Sequence, residues 1–270
     1  MSASSDAGSV ILQRDGAVAR LTLNRPAQLN ALDDTLVEAL VAATATVAAD
    51  TSIRAVILAG AGRHFMAGGD IKVFARSLAD EGAARSARFA ALITRVHAAV
   101  ETLARMPQPI VARLHGAVAG FGLSLANACD LAFAGEDAYF ASAYLSLGVT
   151  PDGGGTWWLP RIVGSRKAAE ILLLGERFDA STALSIGLVN RVVPVEALDA
   201  AVEEAAQRIA AMPAFAVQNL KRLLRASSQH TLAEQLALEG ASFAACTARG
   251  DFVEGIGAFL DKRPPRFGDA

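Results

Sequence analysis

The chain is poor in cysteine, histidine and aromatic residues. Among its 270 residues are two cysteines, four histidines, two tyrosines and two tryptophans. Cys129 and Cys246 cannot build a disulfide framework. Each lies in an apolar helical stretch and reads as a buried free thiol, which suits a reducing cytoplasm. His64, His115 and His230 have no partner pattern of a metal site, so no metal is expected. An excess of positive charge is also missing. The 25 Lys and Arg against 27 Asp and Glu leave a net charge of −2, which argues against nucleic acid as a main partner. No apolar run reaches ~18 residues without a charge or a glycine, so no membrane span is expected. The opening MSASSDAGSV has neither the apolar core of a signal peptide nor the Arg-rich pattern of a transit peptide, and residues 1–8 are expected to be disordered.

What is present is a globular composition, 53% hydrophobic and 19% charged, long enough to bury a large core. Val10–Leu12 and Val18–Leu23 flank a turn at Arg14–Gly16 and predict a hairpin. Asp33 or Asp34 caps a helix whose apolar positions Leu36, Val37, Leu40, Val41 and Val47 follow helical spacing. Ala55–Leu58, Ile110–Leu114 and Asp130–Ala134 read as strands. An Ala-rich helix over 83–105 stops at Met106-Pro107. Alternating strands and helices predict an α/β core over 9–198. From 199 onward only helical patterns remain, over 200–211, 214–226, 232–248 and 251–260. They predict a helical C-terminal module, 199–270.

One stretch, Leu114 to Gly164, carries the chemistry. An apolar run passes through the Gly-rich turn GAVAGFG into a helix reading LSLANACD. A turn that opens a helix presents free N–H groups and the positive end of the helix dipole, a setting for an oxygen that gains negative charge. About thirty residues later a lone carboxylate, Asp152, stands in PDGGGTWW. An oxyanion site with one carboxylate points to proton abstraction beside a carbonyl. A PDG on its own is also an ordinary turn, with Asp152 capping it or the helix that starts near Thr156.

With NRPAQLNAL at 24–32 and HFMAGGDIK at 64–72, this stretch resembles the enoyl-CoA hydratase/isomerase, or crotonase, superfamily. The resemblance runs from about Val10 to Phe267. Within the superfamily, GVTPDGGGTWWLPRIVG and GIGAFLDKRPPRF look most like the 1,2-epoxyphenylacetyl-CoA isomerase branch and related enoyl-CoA isomerases. The resemblance implies a spiral of strand–strand–helix units and a trimer or a dimer of trimers built by the C-terminal helices. It implies an acyl-CoA thioester substrate, with coenzyme A part of the substrate and no separate cofactor. Its two oxyanion N–H groups fall at Gly69 and Phe121.

Hydratases of this family use two glutamates, which fall at Ser124 and Tyr144. Neither position is acidic here, so efficient hydration is not expected. Isomerases place a carboxylate in the Asp152 loop. Apolar Phe140, Leu147, Trp157 and Trp158 are expected to raise its pKa. Tyr144 is expected to line the acyl pocket. In the family's 4-chlorobenzoyl-CoA dehalogenases an aspartate at this place is assisted by a histidine and a tryptophan, which fall at His97 and Tyr144. Only the first is kept. Asp130 reads as a structural carboxylate. Coenzyme A contacts carry over to Arg25, Gln28, Asn30 and Leu32, to Ala67, Asp70 and Ile71, and to Phe259 and Lys262. The last two come from a neighbouring chain in many members. A plain hydratase, a non-catalytic acyl-CoA binder and an RNA-binding member are the rival readings. The Lys-rich helix of the last is absent, since 218–225 holds three basic residues.

Overall fold

Parallel strands buried on both faces dominate the core, as their near-continuous apolar sequences require. The structure is a computed structural model and describes residues 8–268. Most of the segment expected to be disordered, residues 1–7, lies outside the described residues. Strands β1 (Val10–Asp15) and β2 (Val18–Leu23) form the predicted hairpin, turning through Gly16 at φ 56°. Asp33 settles the cap: it accepts the Leu36 N–H and starts α1 (Asp34–Ala49). β3 (Ala55–Gly60) leads to α2 (Ile71–Ser77) and the long α3 (Gly82–Arg105). β4 (Ile110–Leu114) and β5 (Ala117–Ala119) precede α4 (Phe121–Asn127), whose seven residues are all buried. Then come β6 (Leu131–Gly135), β7 (Tyr139–Ala141), α5 (Gly155–Val163), α6 (Ser165–Leu174), β8 (Phe178–Asp179), α7 (Ala180–Ser185) and β9 (Arg191–Val193). Four helices close the chain: α8 (Leu198–Ala210), α9 (Ala214–Ala226), α10 (Leu232–Thr247) and α11 (Gly250–Leu260).

The main sheet has the order β1-β2-β3-β4-β6-β9, parallel except for the β1–β2 hairpin. A smaller sheet, β5-β7-β8, stands apart from it. Alternation along β3 divides the core. Val56 and Leu58 pack with α1 and α3, while Ala55 and Ile57 pack with Leu198, Val202, Ala206 and Ala210 of α8. The apolar stripe of α8 covers the second face of the main sheet. Among the described residues no helix is long and apolar enough to cross a membrane.

Candidate functional site

Three loops meet at the end of β5. The 65–69 segment is stitched to β5 by Met66 N–H to Ala117 O and Ala119 N–H to Met66 O, at 3.0 and 2.9 Å. On its other side Leu32 N–H donates to Gly68 O and Asp70 N–H to Leu32 O. Gly68 and Gly120 touch: a Cβ on Gly120 would lie 3.3 Å from the Gly68 Cα, and both residues have positive φ. The third loop, 151–155, presses on α4. A Cβ on Gly153 would sit 2.7 Å from the Phe121 ring, and one on Gly155 2.7 Å from Ser124 Oγ. Glycine is what permits this approach. It also accounts for the bulky Phe121, whose ring is buried beneath Gly153. The backbone N–H groups of Gly69 and Phe121 find no acceptor among the described residues.

Asp152 sits in this junction, half-buried, at one end of a hydrogen-bond chain. Tyr144 Oη donates to Asp152 Oδ1 at 2.6 Å, and Ser124 Oγ lies 3.3 Å from the same phenol oxygen. Because the phenol proton is committed to Asp152, Ser124 is the donor to Tyr144. Every polar hydrogen of the chain therefore runs toward the carboxylate. Asp152 Oδ2 has no partner from another described residue. Burial pushes the Asp152 carboxyl above the ordinary range, against the Tyr144 bond, which favours its charged form. Burial and the Asp152 charge drive the Tyr144 phenol well up, so it stays an O–H donor. His97, half-buried on α3, accepts the Gly153 N–H at Nε2, 3.0 Å away. Thus Ser124, Tyr144, Asp152, His97 and Phe121, separated along the chain, come together.

Three of the apolar residues expected around Asp152 have other surroundings. Leu147 is 49% exposed. Trp157 and Trp158 wall a cavity of about 430 Å³ beyond α5, together with Asn127, Asp130 and Arg225, and Asp152 is not on its lining. Phe140 is buried and stacks on Phe178.

The residues carried over for coenzyme A divide into scaffold and surface. Asn30 is fully buried and φ-positive. Its amide donates to Ala61 O, His64 O and Phe65 O, and its oxygen accepts the Arg25 N–H. Burial and these bonds make it the knot of its loop. Arg25 pairs with Asp33 and Asp70 at 2.8 and 3.1 Å and donates to Ala31 O. It fastens the 25–33 loop to the start of α2 and is not a free cation. Asp70 caps α2. Its burial opposes ionisation, but the Lys72 N–H and Arg25 prevail and hold the carboxyl below its usual value. The Leu32 side chain belongs to the core. Gln28 and Ile71 are exposed, Ala67 half-buried. Phe259 and Lys262, at the end of α11, are exposed as well.

Asp130 is structural, as expected, but ionic too. Oδ2 accepts the Ile110 N–H and pairs with Lys221, and Oδ1 binds Arg225. Among the described residues no cluster of His, Cys, Asp or Glu is arranged to hold a metal ion, and both cysteines are free. Sequence reasoning named the site residues singly and missed the Ser124–Tyr144–Asp152 chain and the His97–Gly153 bond. No spacing signal marks either one, because the partners come from different elements.

Known proteins are similar to this chain over nearly its full length. Residues 13–270 match the enoyl-CoA hydratase/isomerase family. The 1,2-epoxyphenylacetyl-CoA isomerase of Escherichia coli (strain K12) is 35% identical over 251 residues, 93% of this chain and 94% of that one. Crotonyl-CoA hydratase of Syntrophomonas wolfei is 36% identical, covering 96% of this chain and 97% of its own. A crystal structure of a putative enoyl-CoA hydratase/isomerase from Mycobacterium abscessus superposes with a TM-score of 0.92 at 31% identity, over 97% of this chain and all of the other.

Proposed function

The chain belongs to the enoyl-CoA hydratase/isomerase family, with the crotonase fold, and on that footing we propose that it is an acyl-CoA isomerase with Asp152 as its one acid and base. Family membership makes it an enzyme of acyl-CoA thioesters. The finer reading, a shift of a double bond or opening of a ring epoxide, rests on one observation. The two positions where hydratases carry glutamate here carry hydroxyls, and both hydroxyls serve a single carboxylate, 2.6 Å from Tyr144.

In this mechanism Asp152 Oδ2, as carboxylate, takes a proton from the carbon beside the thioester or conjugated to it. The C–H electron pair moves into the enolate, and the negative charge gathers on the thioester oxygen. The N–H groups of Gly69 and Phe121 receive that oxygen, a kind of contact worth about 3–4 kcal/mol per donor in such sites. The Asp152 O–H then returns the proton at another carbon, and the enolate pair reforms the carbonyl with the double bond displaced. One base suffices, and no separate cofactor is needed. Hydration asks for a base that activates water while a second group protonates carbon. Ser124 and Tyr144 supply neither, since their protons are held in the chain to Asp152.

Relatives named hydratase keep hydration as the competing reading. Incubation with 2-enoyl, 3-enoyl and ring-epoxide phenylacetyl-CoA thioesters, read by mass and ultraviolet absorbance, separates the two. Double-bond shift or epoxide isomerisation with weak hydration supports the proposal. Hydration as fast as that of dedicated hydratases overturns it.

A further inference from the structure

The 151–155 loop needs an external hold, and α3 supplies it. Gly153 and Gly154 both have positive φ, at 60° and 81°, which only glycine adopts without strain. Such a turn is flexible by composition, yet it must keep Asp152 at Tyr144. Its internal bond, Gly155 N–H to Asp152 O at 3.1 Å, closes the turn but ties it to nothing else. The Gly153 N–H points out of the turn, and Gly153 is buried. Its acceptor is His97 Nε2 at 3.0 Å. His97 lies mid-way along a 24-residue helix, beside Val96, Ala99, Val100 and Leu103, which are buried in the core. A ring anchored on such a helix is a fixed reference point for the loop.

We propose that His97 is a positioning residue of this enzyme: as a hydrogen-bond acceptor for the Gly153 N–H, it fixes the loop that carries Asp152, so that Oδ1 stays on Tyr144 and Oδ2 faces the substrate. This rests on the isomerase reading for its catalytic consequence, but not for the bond itself. To accept at Nε2 the imidazole carries its proton on Nδ1, so His97 takes no proton from the substrate through the nitrogen that holds the loop. Its part is acceptor geometry, which a carbonyl at the same reach also supplies. The Gln side-chain oxygen stands as many bonds from Cβ as Nε2 does.

The test compares His97→Leu with His97→Gln, using 3-hexenoyl-CoA as substrate and amide hydrogen exchange of the peptide spanning 151–157. His97→Leu keeps bulk and removes the acceptor. It is expected to lower kcat about 10- to 100-fold, the scale of a small misplacement of a catalytic group. KM should stay within about threefold, since binding elements are untouched. Exchange at 151–157 should quicken. His97→Gln is expected to restore both kcat and protection to within about fivefold of the wild type. A His97→Leu enzyme with unchanged kcat and unchanged exchange overturns the proposal. So does a His97→Gln enzyme that folds but is as slow as the Leu variant, because then the ring's chemistry, not its acceptor, is what counts. If the wild type itself isomerises no thioester, the isomerase reading fails. The exchange comparison then still decides whether His97 holds the loop.

Discussion

At the residue scale the site turns on how one carboxylate is tuned. Asp152 is pulled two ways: burial raises its pKa, while the Tyr144 phenol favours the charged form. The raised value makes the carboxyl a better proton acceptor when ionised and leaves it a usable donor afterwards. The base must be ionised to start, so kcat/KM falls as pH drops through the Asp152 pKa. That acid limb should lie above the ordinary aspartate value of about 3.9. Tyr144→Phe removes the one side-chain bond that lowers the pKa. The acid limb of kcat/KM should therefore move further upward, and kcat at neutral pH should fall about tenfold, near the low end for a hydrogen bond to a charged group. A pH–rate profile checks both. Gly153→Ala makes a second test. The left-handed φ costs about 1–2 kcal/mol for a residue with a Cβ, and that Cβ would press on the Phe121 ring. Lower melting temperature and a strong loss of turnover are expected, measurable by calorimetry and the isomerase assay.

At the scale of elements, most of the fold was legible from the sequence. The hairpin, α1 with its Asp33 cap, α3 ending at Met106-Pro107, and the four C-terminal helices follow from periodicity and from Pro, Gly and Asp punctuation. What periodicity does not carry is which element an apolar stripe meets. For that reason periodicity alone does not place Leu198, Val202 and Ala206 of α8 on the sheet. The same limit hid the partners of Arg25 and Asn30. Both fit a ligand-binding motif, yet their polar atoms are spent on the loop's own backbone and carboxylates. The Gly-rich turn before α4 and the Asp152 carboxylate were readable from the residues themselves and Gly69 only through motif resemblance, while the contacts around Asp152 span 8, 20 and 56 positions in the chain.

The link between α9 and the sheet is also an element-scale device. Lys221, 6% exposed, reaches Asp130 and the carbonyl oxygens of Leu103 and Gln108. Burial lowers its pKa, and Asp130 works against that loss. Asp130→Ala would strand this ammonium and Arg225 and free the Ile110 N–H. Removing one partner of a buried ion pair costs about 3–5 kcal/mol. Denaturant unfolding should show that loss, and a change below 1 kcal/mol would mean that α9 is held by other contacts.

At the scale of the whole molecule, α10 and α11 leave large apolar side chains uncovered. Phe243, Val253, Phe259 and Leu260 are 71%, 70%, 81% and 72% exposed. So much apolar surface on adjoining helices marks an interface. We expect a homotrimer or hexamer in which Phe259 and Lys262 come near a neighbouring chain's site. Sedimentation at micromolar concentration should show it, and a monomer would contradict it.

The central claim is that one carboxylate performs both proton transfers, and Asp152→Asn tests it most directly. Asparagine keeps the shape and still accepts from Tyr144, but it cannot take a proton. Isomerisation should fall by about two to four orders of magnitude, the worth of a positioned acid–base group. Acyl-CoA binding, measured alongside, should change little, because in this account the Gly69 and Phe121 amides, not Asp152, receive the thioester oxygen. A variant that folds, binds acyl-CoA and turns over near the wild-type rate would contradict the account and leave the oxyanion site without its base.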